Sequence, residues 1–221
     1  MNNTEKNKRN FVKPVFFGIC FAVFTLLADL FDVEPAGPQG SRVGFAGLNT
    51  AIHVLLGTND FCYKLTQLFG ILALLVAAAF AVTGLVQLIK RKSLFKVDIN
   101  LLMLGLVYII LAIIYVIFEK FPLNYRPVIL DEGLEPSYPS THTMLILTIL
   151  GTAVSITGDY IKNPKLLFCI KLACLIVMAL TVVCRLLSGV HWFTDIAGGV
   201  LVSLFLISLY KTLRAVPDGE K

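Results

Sequence analysis

The sequence predicts an all-α polytopic membrane protein with six transmembrane helices. Hydrophobic residues make up 57% of the 221-residue chain and charged residues only 15%, whereas a soluble domain carries about 25% charged residues. Apolar runs of about 20 residues, the length that crosses a bilayer core, recur along the chain. This composition excludes an ordinary soluble domain and indicates that the bilayer is the protein's solvent.

Six apolar runs are long enough to span the membrane. The first follows a basic N-terminal lead but has no clear small-residue cleavage site, so we expect an uncleaved first span rather than a signal peptide. The longest connection, 31–66, contains a segment at 43–56 that is expected to form an interfacial helix. No internal repeat is present, so a single membrane-embedded domain, 1–221, is expected. The predicted spans are 14–32, 65–89, 99–118, 141–159, 166–187 and 192–212.

The cysteines and the net charge exclude several classes of protein. Five cysteines are present without a CxxC pair or metal-ligand spacing, so neither a disulfide framework nor a zinc site is expected. The net charge of +5 arises from clusters beside the spans, which is typical of membrane proteins and does not indicate a nucleic-acid partner.

The distribution of Lys and Arg predicts the orientation of the chain. With the N-terminus inside, thirteen of these residues fall on the cytoplasmic side and Lys171 lies within a span. We expect the protein in the inner or plasma membrane of the cell. Because cytoplasmic loops are enriched in positive charge, both termini are expected on the cytoplasmic side. Five cations remain on the other side: Arg42, Lys64, Lys120, Arg126 and Arg185.

Three ionisable residues lie close together at the junction of the last two spans. Ionisable side chains are costly in lipid and are functional candidates there. If a helix begins near His191, Asp195 lies one turn further on the same face. Its carboxylate would accept the Nδ1 hydrogen and leave Nε2 free as a nucleophile or base. Arg185 can form two hydrogen bonds with a phosphate, so the group predicts chemistry on an anion.

A second polar group, Pro139-Ser140-Thr141-His142, lies 43 residues before Arg185, counted from His142. Two crossings and a short turn account for this separation, so both groups are expected on the extracytoplasmic side. The active site is therefore expected at the extracytoplasmic ends of the later helices. The residues expected to converge there are Lys120, Arg126, Ser140, His142, Arg185, His191 and Asp195.

These residues have the properties that phosphoryl transfer requires. Ser140 is the expected N-cap of a helix, whose first backbone N–H groups, at Thr141 and His142, suit an anion. His191 would attack phosphorus, and His142 would protonate the leaving oxygen and later activate water. No carboxylate cluster is available for magnesium, so no metal or cofactor is expected. Cations would stabilise the transition state instead: Lys120, Arg126 and Arg185.

The three polar stretches resemble the signature motifs of the type 2 phosphatidic acid phosphatase (PAP2) superfamily, integral membrane lipid phosphatases related to vanadium haloperoxidases. The family pattern is Lys-x6-Arg-Pro, then Pro-Ser-Gly-His, then Ser-Arg-x5-His-x3-Asp. The chain matches it in order across residues 120–195, with Arg126-Pro127, Pro139-Ser140-x-His142 and Arg185-x5-His191-x3-Asp195.

The resemblance implies metal-independent hydrolysis of a phosphomonoester or diphosphate on a membrane lipid through a phosphohistidine. The implied substrates are of the undecaprenyl diphosphate, phosphatidic acid or phosphatidylglycerol phosphate class. The implied catalytic residues are His191, His142 and Asp195. The implied phosphate-binding residues are Lys120, Arg126, Ser140, Thr141 and Arg185.

The sequence departs from the family pattern at three positions. Lys120 stands one residue too close to Arg126, and Glu119 occupies the expected place. Thr141 replaces a glycine, which narrows the expected pocket. Cys184 replaces a serine and removes one hydroxyl that would bind phosphate.

Three alternatives remain open at this point. A lipid phosphotransferase would use an acceptor hydroxyl instead of water. A transporter or binder of phosphorylated anions would not need a nucleophile, and a catalytically silent interaction protein would be expected to have lost both histidines.

Residues beside the motifs have structural interpretations. Tyr138 and Trp192 are expected at the membrane–water interface. Gly198-Gly199 is expected to allow close helix packing. The acidic residues between the first two motifs are expected to form a solvated loop: Asp131, Glu132 and Glu135.

Overall fold

The described residues form seven α-helices. The structure is a computed structural model that describes residues 3–130 and 133–215, so Asp131 and Glu132 lie outside the described residues. Two 3₁₀ turns, Pro38–Gly40 and Leu94–Lys96, lie between helices, and the described residues contain no β-strand. The helices are α1 (Asn3–Leu30), α2 (Ala46–Leu56), α3 (Asp60–Arg91), α4 (Ile99–Lys120), α5 (Thr141–Tyr160), α6 (Pro164–Leu187) and α7 (Phe193–Ala215).

All of these helices except α2 are long and apolar enough to cross a membrane. The prediction of an all-α protein with six spans is confirmed, and the chain is a multi-pass membrane protein. Helix α3 begins five residues before its predicted span, at Asp60. The Asn59 side chain accepts a hydrogen bond from the Cys62 backbone N–H at 3.0 Å and so caps this polar first turn.

Helix α2 occupies most of the predicted segment at 43–56. It follows a turn in which the backbone N–H groups of Phe45 and Ala46 donate to the carbonyls of Phe31 and Asp32. Helix α2 packs against α7. The longest connection in the chain is thereby held against the last helix.

Helices α5 and α7 form the centre of the bundle. Helix α7 packs against α1, α4 and α5, and α5 also packs against α3 and α6. The core between α5 and α7 includes hydroxyl side chains, such as Thr148, which donates to Ser203 Oγ at 3.3 Å. Satisfied hydroxyls of this kind stabilise helix contacts where no water is present. The outer helices α1, α3, α4 and α6 present exposed apolar side chains, as a lipid-facing surface requires.

Two adjacent glycines bring α7 against the second motif. A Cβ on Gly198 would lie 2.6 Å from the Tyr138 ring, and a Cβ on Gly199 would lie 2.9 Å from Thr143 Cβ. The predicted close packing at these glycines is confirmed. Because Asp195 lies one turn before Gly199, this packing holds the first turn of α7 beside the start of α5.

The two ends of the bundle differ in character. One end, which we call the site end, contains the first turns of α3, α5 and α7 and the last turns of α4 and α6. The other end contains the basic connections, and there Arg214 pairs with Asp159, which also accepts a hydrogen bond from Asn100 Nδ2 at 2.9 Å. All of the predicted motif residues belong to the site end.

Candidate active site

The imidazole of His191 lies in the turn between α6 and α7 and is 4% exposed. Its Nε2 lies 2.9 Å from Nη2 of Arg185. A guanidinium has only donors, so Nε2 is the acceptor and the proton of the neutral ring is on Nδ1. The lone pair of Nε2 is therefore directed into the cluster of cations.

Asp195 holds three segments together from the first turn of α7. Its Oδ2 accepts the backbone N–H of Trp192 at 2.9 Å, and its Oδ1 accepts Nδ2 of Asn124 at 3.2 Å. His191 Nδ1 lies 3.4 Å from Oδ2. That contact is longer than a normal hydrogen bond, and the imidazole also interacts with the backbone of Ser137.

The Arg185 guanidinium is fully buried and is held by α3. Its Nη1 donates to Thr66 Oγ1 at 3.2 Å, and the guanidinium carbon lies 5.6 Å from the centre of the Tyr63 ring. Its Nε has no hydrogen-bond partner among the described residues. Sequence reasoning did not identify Tyr63 and Thr66. Tyr63 lies just before the predicted span and Thr66 at its start, so the apolar pattern gave no signal for either residue.

Arg126 lies in the connection between α4 and α5, which folds back on itself. The backbone N–H of Arg126 donates to the Glu135 carbonyl at 3.0 Å, and its Nε lies 2.8 Å from Glu135 Oε2. Its Nη1 is buried without a hydrogen-bond partner in the described part of the chain. The expectation that Glu135 belongs to a solvated loop is wrong, because Glu135 is partly buried against this guanidinium.

Ser140 joins the second motif to the third. Its backbone N–H donates to the Asp195 carbonyl at 2.9 Å. Ser140 is at the N-cap position of α5 as predicted, but its hydroxyl accepts a hydrogen bond from Thr143 Oγ1 at 3.0 Å instead of capping the backbone. The His142 ring packs against α3, where a Cβ on Gly70 would lie 3.2 Å from its Cδ2.

The environment keeps the imidazole of His191 neutral. Burial is the main cause, and the positive charges of Arg185 and Arg126 act in the same direction. Together they hold the pKa of His191 well below its ordinary value of 6.5. A neutral ring has the unprotonated Nε2 that a nucleophile needs.

Lys120 and Thr141 stand apart from this cluster. Lys120 ends α4 with an exposed side chain, and no hydrogen bond or ion pair joins it to the described residues. Thr141 is partly buried at the start of α5, where it lines an apolar groove rather than contacting His191. The structure thus brings together all of the predicted site residues except Lys120, with Thr141 at the edge.

Two aromatic residues beside the motifs are buried within the protein. Tyr138 and Trp192 are 2% and 3% exposed, and their place at the membrane–water interface stays a prediction. Trp192 Nε1 donates to the Tyr125 carbonyl at 2.7 Å, and the Tyr138 hydroxyl lies 2.8 Å from Thr25 Oγ1. These polar atoms have protein partners, which allows both rings to be buried.

In the described part of the chain, no three His, Cys, Asp or Glu side chains lie together as metal ligands would. The groups gathered around His191 are instead donors and cations, which suit an anion.

Residues 117–216 match a family model described as the PAP2 superfamily. The match covers the part of the chain that carries the three motifs. A crystal structure described as the first transmembrane PAP2 type phosphatidylglycerolphosphate phosphatase, from Bacillus subtilis, has a similar fold. It aligns over 90% of this chain and 94% of that chain, with a TM-score of 0.63 and 18% sequence identity. No curated protein sequence matches the chain.

The PAP2 match does not include every residue that surrounds the site. Tyr63, Thr66 and Gly70 precede the matched region, although two of them contact Arg185 and the third lies against His142. Residues of α3 therefore contribute to the site although they lie outside the matched region.

Proposed function

We propose that the protein hydrolyses a phosphomonoester or diphosphate on a membrane lipid through a phosphohistidine at His191. The observation that carries this proposal is the 2.9 Å contact in which the neutral His191 Nε2 accepts from Arg185. An unprotonated imidazole nitrogen beside a guanidinium is the arrangement expected of a nucleophile next to a phosphate-binding group. The match of residues 117–216 to the PAP2 superfamily model supports the same reaction.

The first step transfers the phosphoryl group to the protein. His191 Nε2 attacks phosphorus, the bond from phosphorus to the lipid oxygen or the diphosphate bridging oxygen breaks, and His142 gives that oxygen a proton. The buried donors of Arg126 and Arg185 that lack partners, Nη1 and Nε, would bind the phosphoryl oxygens. Charge developing on those oxygens is stabilised by donors already in place.

The second step releases inorganic phosphate. Water attacks phosphorus, His142 takes a proton from that water, and the bond between phosphorus and Nε2 breaks. Asp195 stabilises the positive imidazole that exists between the steps, from 3.4 Å. First-turn N–H groups of α5, at Thr141 and His142, supply further donors.

An apolar groove beside the site supports a lipid substrate. It has a volume of about 320 Å³ and lies between α3, α4 and α5, beginning at Thr141 and reaching Ile149. Leu74, Leu111 and Met144 are among its lining residues. A phosphate bound near Arg185 could extend a hydrocarbon chain along this groove, as in lipids of the undecaprenyl diphosphate, phosphatidic acid or phosphatidylglycerol phosphate class.

We place the site end of the bundle on the extracytoplasmic side of the cell membrane. The opposite end carries most of the Lys and Arg residues, and cytoplasmic ends of membrane proteins are enriched in these residues. The cations of the site end include Arg126 and Arg185, which the reaction itself requires. A substrate in the outer leaflet follows from this orientation.

The test is phosphate release by the purified full-length protein in detergent with excess chelator. The substrates are undecaprenyl diphosphate, phosphatidic acid and phosphatidylglycerol phosphate. We expect release from at least one lipid in the wild-type protein and in His53→Phe, which keeps an aromatic ring against Trp192. We expect at least a 1,000-fold loss in His191→Ala, because removal of a nucleophile costs several kcal/mol of the barrier reduction.

Acid-labile phosphate trapped on the protein after a rapid quench would identify the intermediate. Equal release from wild type and His191→Ala would contradict the phosphohistidine. No release from any lipid would contradict the hydrolase, and binding and transport of phosphorylated anions would then be measured.

A further inference from the structure

Asn124 is a fully buried amide that contacts Asp195 directly. Its Nδ2 donates to Asp195 Oδ1 at 3.2 Å, and its backbone carbonyl accepts the Ser137 N–H at 2.9 Å. Asn124 lies two residues before Arg126 at a position that the family pattern leaves unspecified. The carboxylate facing His191 is thus held on its other oxygen by the first motif.

The orientation of this amide is fixed by a second contact. Asn124 Oδ1 accepts the backbone N–H of Gly44 at 3.2 Å. Because Gly44 offers only a donor and Asp195 only acceptors, the oxygen must face Gly44 and the nitrogen must face Asp195. If the amide were flipped, Nδ2 would face the Gly44 N–H and Oδ1 would face the Asp195 carboxylate, and neither pair could form a hydrogen bond.

Gly44 is itself held in place by the first and second helices. A Cβ at this position would lie 1.7 Å from the Ala28 carbonyl oxygen, so only glycine allows this approach. Asn49 Nδ2 donates to the Gly44 carbonyl at 2.7 Å and to Thr194 Oγ1 at 2.8 Å. Asn49 Oδ1 also accepts the Thr194 N–H at 3.1 Å and so caps the start of α7.

We propose that Asn124 is a positioning residue that fixes the Asp195 carboxylate toward His191, and that Gly44 and Asn49 hold the Asn124 amide in the required orientation. The proposal rests on the hydrolysis proposed above. With Oδ1 held by Asn124, Oδ2 stays on the side of Trp192 N–H and His191 Nδ1. Asn124 thus affects catalysis through Asp195 and does not itself contact the phosphate.

Other charged or titratable groups also surround Asp195. His191 lies against Oδ2, and the charge of Arg126 and the hydroxyl of Tyr138 lie close enough to interact with the carboxylate. The side chain of Ser137 also interacts with the carboxylate. Asn124 is the side chain whose amide donates to Oδ1, at 3.2 Å.

The main variant is Asn124→Asp, which keeps the shape of the side chain and replaces the donor by a carboxyl. Two ionised carboxylates at this distance repel each other. As the pH falls, the pair takes up one proton, which the two carboxyls share. We expect kcat to fall about 100-fold at pH 7.5, with KM for the lipid within threefold of wild type. Because the introduced carboxyl can again donate to Asp195 once it is protonated, the deficit relative to wild type should shrink at least tenfold at pH 5.5.

Asn124→Ala removes the donor without adding a carboxyl. We expect a similar loss of kcat that does not recover at low pH. The matched control is Asn100→Asp, because Asn100 Nδ2 donates to Asp159 at the far end of the bundle. We expect its kcat and pH profile to be within twofold of wild type. Asn49→Ala, which loosens Gly44, is expected to lower kcat about tenfold.

A second readout does not depend on activity. The ¹⁵N resonance of His191 Nδ1, assigned by its loss in His191→Ala, should shift in both Asn124 variants and stay fixed in Asn100→Asp. An unmoved resonance in both variants, or a kcat within twofold of wild type in both, would overturn the proposal. If the wild-type protein releases no phosphate, the hydrolase proposal fails while the resonance still decides whether Asn124 positions Asp195.

Discussion

The side chain of His191 is a base whose surroundings oppose its protonation. The pKa of His191 is held well below 6.5 by burial and by the positive charges of Arg185 and Arg126. We therefore expect its ring to remain neutral as the pH falls from 7.5 through 6.5. A ¹⁵N NMR titration of histidine-labelled protein in detergent measures this directly. A midpoint at or above 6.5 would contradict the expectation.

The same lowered pKa of His191 predicts how stability depends on pH. In the unfolded chain a histidine binds its proton near 6.5, whereas folded His191 does so only at lower pH. The unfolded state thus binds more protons between the two values, and the free energy of unfolding falls as the pH drops below about 6.5. We expect His191→Gln to lose less thermal stability between pH 7 and pH 5 than wild type does. An equal loss in both proteins would assign the acid sensitivity elsewhere.

Arg185 depends on the planar shape of its side chain as well as on its charge. One guanidinium contacts Thr66 and His191 at once and retains a free Nε. Arg185→Lys keeps the charge but cannot make these contacts together. We expect kcat/KM for phosphate release to fall about 100-fold, equivalent to the roughly 2–3 kcal/mol of charge-assisted hydrogen bonds. The matched control is Arg42→Lys, because Arg42 is exposed. An equally small effect in both variants would contradict a specific role for the Arg185 guanidinium.

The sequence predicted the site residues that share a motif. It did not predict the residues from other parts of the chain that form hydrogen bonds at the site. Arg185, His191 and Asp195 are close in the chain, so their spacing reveals their proximity. Thr66, Asn49 and Asn124 reach the site through contacts that span 71 to 145 residues. A single polar side chain in a span or loop carries no periodic signal, which is why these partners were not predicted.

Helix α7 depends on contacts that leave no room for a side chain. A Cβ at Gly199 would lie 2.9 Å from Thr143 Cβ and 3.1 Å from the Ser140 carbonyl. Gly199→Ala must therefore push α7 away from the start of α5, at a cost of about 1–3 kcal/mol. We expect a lower thermal unfolding midpoint and reduced phosphate release.

Gly84→Ala in α3 is the matched control, because nothing lies within 4 Å of its added Cβ. There the greater helix propensity of alanine is expected to raise stability by about 0.5–1 kcal/mol. Thermal midpoints that move in the same direction in both variants would contradict the packing argument.

The positions of the helices were predicted more accurately than their ends. The length of the bilayer core defines each span, so the predicted 99–118 and 141–159 agree closely with α4 and α5. The early start of α3 was missed because Asp60 and Lys64 interrupt the apolar run, although Asn59 caps the helix and Lys64 pairs with Asp60 at 2.6 Å.

The proposed orientation of the molecule, with the site end on the extracytoplasmic side of the membrane, can be tested by cysteine labelling. Thr50 is an exposed residue of α2 at the site end, and Lys92 is exposed at the basic end. In intact cells we expect a membrane-impermeant thiol reagent to label Thr50→Cys. Lys92→Cys should react only after the membrane is permeabilised. The parent protein with its native cysteines gives the background, and the reverse pattern would invert the orientation.

Contact between α1 and α7 closes the bundle by joining the first and last helices of the chain. This order of contacts has a consequence during synthesis. At about 5–20 residues per second, a ribosome needs on the order of ten to thirty seconds to reach α7 after completing α1. Throughout that interval α1 cannot make its contacts with α7. Helix α1 is made first but can pack against α7 only after nearly the whole chain has been synthesised. A chain that ends before α7 therefore lacks the contact between α1 and α7.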